Sequence, residues 1–139
     1  MGNHLTAIRG LYRFAAAGLF VLAFLASSRQ IGRADQLVMF EQQGCPYCAA
    51  WNQDVGPVYP KTDEAKVLPL RRVDIHAARP KDLLAISGVV YTPTFVVLHC
   101  GREAARITGY PGEDQFWGLL DAALKTVRAG AQSTPPCPR

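Results

Sequence analysis

Leu37-Val38-Met39-Phe40-Glu41-Gln42-Gln43-Gly44-Cys45-Pro46-Tyr47-Cys48-Ala49-Ala50-Trp51 passes from an apolar, β-prone run through a short polar loop into a helical pattern, with two cysteines at the junction. Two cysteines two residues apart can close a reversible disulfide. A thiol at a helix start faces unpaired backbone N–H groups and the positive end of the helix dipole. Both favour the thiolate, which is the nucleophilic form. Half of a zinc site and a purely structural disulfide are the competing readings. A four-cysteine zinc site needs a second close pair, whereas Cys100 and Cys137 lie 37 residues apart. Redox chemistry is therefore the expectation, with Cys45 attacking and Cys48 resolving from beneath it.

Outward from this stretch, the chain reads as one domain of 139 residues with flanking segments. Its net charge of +4 comes from the N-terminus: Arg9, Arg13, Arg29 and Arg33 precede Asp35 without an acidic residue among them, and from Asp35 onward basic and acidic residues number 11 each. The domain thus lacks the basic excess and the motifs of a nucleic-acid binder. Residues 1–34 read as a signal peptide or an uncleaved membrane anchor. Phe14–Ala26 is a charge-free apolar run of 13 residues behind basic ones, a length suited to a secretory signal. Extended upstream to residues 11–26, it would serve as an anchor. Either reading exports the domain, to the periplasm in a bacterium, where disulfides persist.

Residues 35–129 carry the pattern β-α-β-α-β-β-α. Asp35–Glu41 is a strand apolar on both faces, followed by a helix from near Cys45 that breaks at Gly56-Pro57. Lys61–Lys66 is a further helical turn capped by Thr62, and Val67–Ile75 is the second strand. Pro80–Ser87 is predicted as a short helix, and Thr94–His99 as a strand that turns through Cys100–Glu103 into Ala104–Thr108. In Glu113–Arg128, Phe116, Leu119, Leu120, Ala123, Leu124 and Val127 recur at helical spacing, with Gly130 as the stop. Residues 130–139 read as a disordered Pro-rich tail. The crossover makes the first two strands parallel and the later hairpin makes the sheet mixed, with the cysteine pair at the carboxyl end of the first strand.

Three features together resemble the thioredoxin fold over roughly Asp35–Arg128: Cys45-Pro46-Tyr47-Cys48 after the first strand, Tyr91-Thr92-Pro93-Thr94 before the third, and Gly109-Tyr110 before the last helix. Phe40–Asn52, Val58-Tyr59-Pro60 and Gly109–Glu113 with Phe116-Trp117 further resemble the small exported thioredoxins of bacterial sulfur-oxidation (Sox) systems. The resemblance implies an α/β domain with a mixed four-stranded sheet and a thiol–disulfide oxidoreductase using no cofactor beyond its own disulfide. It implies protein disulfide substrates, a sulfur-oxidation carrier protein among them, and a membrane electron donor. Pro46 and Tyr47 would tune the pair. Pro93 would be cis, with the Thr92 backbone pairing with substrate as an added strand.

One departure stands out. Thioredoxins commonly carry a buried Asp and a Lys near the resolving thiol, and the matching positions here are Met39 and Leu70. Glu41 is then the nearest candidate proton acceptor, and a substrate-dedicated reductase or isomerase fits better than a general thioredoxin. Tyr47, Tyr91 and Tyr110 are candidate rim residues. His99-Cys100 is too sparse for a metal site, so no metal is expected. Cys100 and Cys137 would make a second disulfide or leave Cys137 for intermolecular bonds. A non-enzymatic binding module or metallochaperone on the same fold is the alternative function.

Overall fold

The computed structural model describes residues 35–133, so the expected signal or anchor segment and the last six residues lie outside the described residues. Four strands, β1 (Gln36–Glu41), β2 (Leu70–Asp74), β3 (Thr94–His99) and β4 (Arg102–Thr108), form one sheet in the order β2-β1-β3-β4. β1 pairs in parallel with β2 and antiparallel with β3, and β3 pairs antiparallel with β4. The sheet is therefore mixed. β1 is central, and its Leu37, Val38, Met39 and Phe40 are all fully buried, as an apolar run flanked by strands on both sides requires.

Side chains alternate across the sheet, so each strand feeds two cores. Leu37, Met39, Phe95 and Val97 face the larger one, which is covered by helices α1 (Pro46–Asp54) and α3 (Glu113–Ser133). Val38, Phe40, Val96 and Leu98 face the smaller one, completed by Val73, Leu83 and Ile86. α1 starts at Cys45, its N-cap, with Pro46 in the first turn where a missing N–H is harmless. It ends where the Val55 and Gly56 N–H groups both donate to the Trp51 carbonyl, at 2.9 and 3.0 Å. A Cβ at Gly56 would fall 2.7 Å from the Asn52 carbonyl oxygen, so the turn requires glycine. The Thr62 hydroxyl caps helix α2 (Asp63–Val67), accepting from the Ala65 N–H at 3.2 Å.

Four local expectations need correction. Pro80–Ser87 is not an α-helix: only a 3₁₀ turn forms at Lys81–Leu83, held by short-range bonds from Leu83 N–H to Pro80 and from Ile86 N–H to Leu83. The segment buries just Leu83 and Ile86, too narrow a stripe to reward a longer helix. The second strand begins at Leu70 rather than Val67, because α2 continues through Val67. Gly130 does not stop the last helix, which runs on to Ser133 and so takes the first residues of the expected tail. Leu119, placed by periodicity on the core face of that helix, is 46% exposed.

Candidate active site

The cysteine pair sits on the loop that carries β1 into α1. Cys45 and Cys48 are joined by a disulfide with Cα atoms 5.2 Å apart. The Cys48 backbone N–H donates to Cys45 Sγ at 3.0 Å, and the Ala49 N–H donates to the Cys45 carbonyl at 3.1 Å. The first is an open donor of the helix start aimed at the N-cap sulfur, and the second is the helix's own first backbone bond. After reduction the donor at Sγ favours a Cys45 thiolate, and the helix dipole acts in the same direction.

Cys45 is less open than its position before the first helical turn implies. It is 6% exposed against 3% for Cys48, and both belong to the larger core with Met39. An open groove of 330 Å³ runs past the pair, lined by Glu41, Gln42, Gly44, Cys45, Pro46, Cys48, Ala49 and Asn52. Met39 is fully buried in the same cluster as the pair, but the expected partner position needs correction: parallel pairing sets Leu70 against Leu37, away from the cysteine loop, and places Arg72 beside Met39, with its guanidinium 6.0 Å from the Trp51 ring centroid. Burial disfavours charge at Cys48 by desolvation, which leaves Cys45 as the sulfur with the helix-start donor.

Glu41 reaches the groove, but the guanidinium of Arg72 occupies both of its carboxylate oxygens, with Nε 2.7 Å from Oε1 and a second short contact from Nη2 to Oε2. Next to it, His76 Nε2 lies 3.1 Å from Gln42 Oε1. Two residues from β2 and its following turn thus brace the loop before Cys45. Neither Arg72 nor His76 was legible as a site neighbour: parallel pairing sets Glu41 opposite Asp74, and that register carries them there.

The Thr92–Pro93 peptide is cis. Pro93 is buried, its carbonyl accepts from the Gly109 N–H at 2.7 Å, and the Thr94 hydroxyl donates to the Tyr91 carbonyl at 2.7 Å. Because Phe40 pairs with Thr94, Pro93 lies at the same end of the sheet as the cysteine loop. Of the three candidate rim tyrosines, Tyr47 and Tyr91 are exposed, at 62% and 68%. Tyr110 is not on the rim. It is buried against Phe116 and donates to Asp54 Oδ2 at 2.9 Å, tying the end of α1 to the start of α3. Burial, with the Asp54 bond assisting, pushes its pKa up to about 12.

Comparison with known proteins agrees with this architecture. A family model described as a thioredoxin-like domain matches residues 25–124. The crystal structure of the periplasmic thioredoxin SoxS from Paracoccus pantotrophus, in its reduced form, is 41% identical. Its superposition has a TM-score of 0.63 and covers 66% of this chain and 97% of that one. No curated protein sequence matches. With a mixed sheet, a disulfide at the N-terminus of α1 and a family match over most of its length, the chain belongs to the thioredoxin-like family and is a thiol–disulfide oxidoreductase.

Proposed function

We propose that the protein is an exported, substrate-dedicated oxidoreductase that reduces or isomerises disulfides on partner proteins, a sulfur-oxidation carrier protein among them. The observation that carries this is a Cys45–Cys48 disulfide at the start of α1, packed into the main core and lined by an open groove. In the reduced enzyme the Cys45 thiolate attacks one sulfur of the substrate disulfide, and the other leaves as a thiolate. Cys48 then attacks Cys45 in the mixed disulfide, closing the enzyme disulfide and releasing the reduced substrate. Glu41 lines the same groove as Cys48 and takes its proton when one of its oxygens is released from Arg72. Pro46 and Tyr47 set the stiffness and outer surface of the loop, and the Thr92 backbone beside cis-Pro93 receives the substrate as an added strand.

Export rests on the basic, apolar leader, with residues 11–26 as signal or anchor. No helix among the described residues is long and apolar enough to cross a membrane. The Sox setting rests on likeness to a protein named as a periplasmic thioredoxin, SoxS. In that compartment a membrane protein must return electrons to Cys45–Cys48. Cys45→Ser is expected to abolish reduction of a protein disulfide, and Cys48→Ser to accumulate a covalent enzyme–substrate complex on non-reducing gels. Full turnover by Cys45→Ser would refute the mechanism. Equilibration with glutathione buffers then separates a reductase, near the thioredoxin potential of about −270 mV, from an isomerase near about −180 mV.

A further inference from the structure

One row of the sheet carries an arginine at each end. Parallel pairing sets Val38 of β1 opposite Arg71 of β2, and antiparallel pairing sets Val38 opposite Val96 and Val96 opposite Arg106 of β4. Residues directly opposite one another share a face of the sheet. Val38 and Val96 are fully buried in the smaller core, so Arg71 and Arg106 flank that core from the two edge strands. Both reach to the segment that covers it. Arg71 forks onto Asp82 in the 3₁₀ turn, with Nη2 3.2 Å from Oδ1 and a shorter contact from Nη1 to Oδ2. Arg106 engages the segment further along, in the stretch that leads into Thr92 and cis-Pro93.

Arg106 is the more fully engaged of the two. Glu103 accepts from its Nε and Nη2 at 2.7 Å each, which fixes the plane of the guanidinium. The same group donates from Nη2 to the Ser87 carbonyl at 2.8 Å and from Nη1 to the Gly88 carbonyl at 3.2 Å. Gly88, with a φ of 67°, makes a left-handed turn at this point. Among the described residues, 87–92 make no backbone-to-backbone hydrogen bond. Side chains from the neighbouring strands hold their carbonyls instead: Arg106 holds Ser87 and Gly88, and the Thr94 hydroxyl holds Tyr91. Only a guanidinium, with its fixed fork of donors, can serve a carboxylate and two carbonyls at once in this way.

We propose that Arg106, oriented by Glu103, is a positioning residue for the substrate: it fixes residues 87–92 so that the Thr92 backbone stands ready to pair with the chain carrying the target disulfide. This rests on the reading of Thr92 as the place where substrate adds as a strand. Thr92 lies four residues beyond Gly88, a lever of about 13 Å when extended, so the anchor governs where the far end sits. Without it, each incoming chain must order residues 87–92 itself, and that ordering entropy is subtracted from affinity. Exchange itself passes between Cys45, Cys48 and the two substrate sulfurs, and no atom of Arg106 takes part. Arg106 therefore governs KM for a polypeptide disulfide and leaves the exchange step alone. A small disulfide with no backbone to pair escapes its influence. Arg71 and Asp82 anchor the earlier part of the same cover, which keeps the 3₁₀ turn in place when Arg106 is replaced.

The experiment uses the reduced full chain with an extended peptide disulfide dimer, the same dimer N-methylated beside its cysteines, and 2-hydroxyethyl disulfide. N-methylation removes a strand-pairing donor and should raise KM in the wild type. Arg106→Gln should raise KM for the plain dimer about tenfold, shrink the N-methyl effect, and leave kcat and the rate with hydroxyethyl disulfide unchanged. Arg106→Lys keeps the charge but not the fork and should stay near Arg106→Gln. Glu103→Gln keeps the arginine, should raise KM about threefold, and carries the test if Arg106→Gln folds poorly. Equal KM for the two peptides in the wild type would overturn the strand reading and this proposal with it. An N-methyl effect in the wild type, with KM unchanged in the Arg106 and Glu103 variants, would overturn this proposal alone. So would an equal loss on all the substrates, the mark of a residue that only supports the fold.

Discussion

The two faces of the sheet are built differently. The larger face is aromatic and helix-covered: Trp51 packs on Tyr59, Phe95 and Phe116, while Trp117 stacks on Tyr59 with ring centroids 6.1 Å apart. The smaller face is aliphatic apart from Phe40 and covered by the irregular stretch 75–93, with one 3₁₀ turn and the guanidinium of Arg79 4.6 Å from the Phe40 ring centroid. The cysteine pair belongs to the first face. The thin face instead supports the segment that delivers Tyr91-Thr92-Pro93 to the same end of the sheet. Rigidity thus lies under the chemistry, and the lighter cover lies under the segment proposed to meet the substrate.

The comparison breaks most readily at Phe116, which is fully buried and touches Trp51, Phe95, Tyr110 and Trp117. Phe116→Ala should cost about 3–5 kcal/mol in urea unfolding. Leu83→Ala on the thin face is fully buried too, yet its loop can settle into the space, so about 2–3 kcal/mol is expected. Equal losses would show that the thin face is as rigid as the thick one. The smallest effect is alkaline. The folded pKa of Tyr110, about 12, lies above its ordinary value of 10.0, so the native state holds its proton longer than the unfolded chain. Its contribution is complete below pH 10 and is lost as pH rises toward 12. Burial raises the pKa of Tyr59 in the same direction. Tyr110→Phe should flatten part of that slope in a thermal-midpoint series, and an unchanged slope would place the titration elsewhere.

The strands and long helices were legible because they repeat every two or nearly four residues, and the cysteine pair because its spacing is local. What escaped the sequence was set by register. Glu41–Arg72, Asp54–Tyr110 and Asp35–His99 join residues 31, 56 and 64 positions apart. Nothing local in any of those six residues names its partner. The helix expected at 80–87 failed for a related reason: its propensity signals were local, while the small area it covers was decided by the sheet. Leu119 shows the converse, since periodicity assigns a face but not how far the neighbouring layer extends over it.

Cys45 and Cys48 are counted among the residues of the main core, alongside Met39, Trp51 and Phe116. Oxidising or reducing the pair therefore alters the interior of the molecule, and folding and electron affinity close one thermodynamic cycle. Whatever free energy separates the stabilities of the two redox forms must reappear as a displacement of the native couple from that of the unfolded chain, at about 30 mV for each 1.4 kcal/mol. A packing change that never touches sulfur, such as one at Met39, can shift the electrode potential, so this core is also the voltage setting of the enzyme.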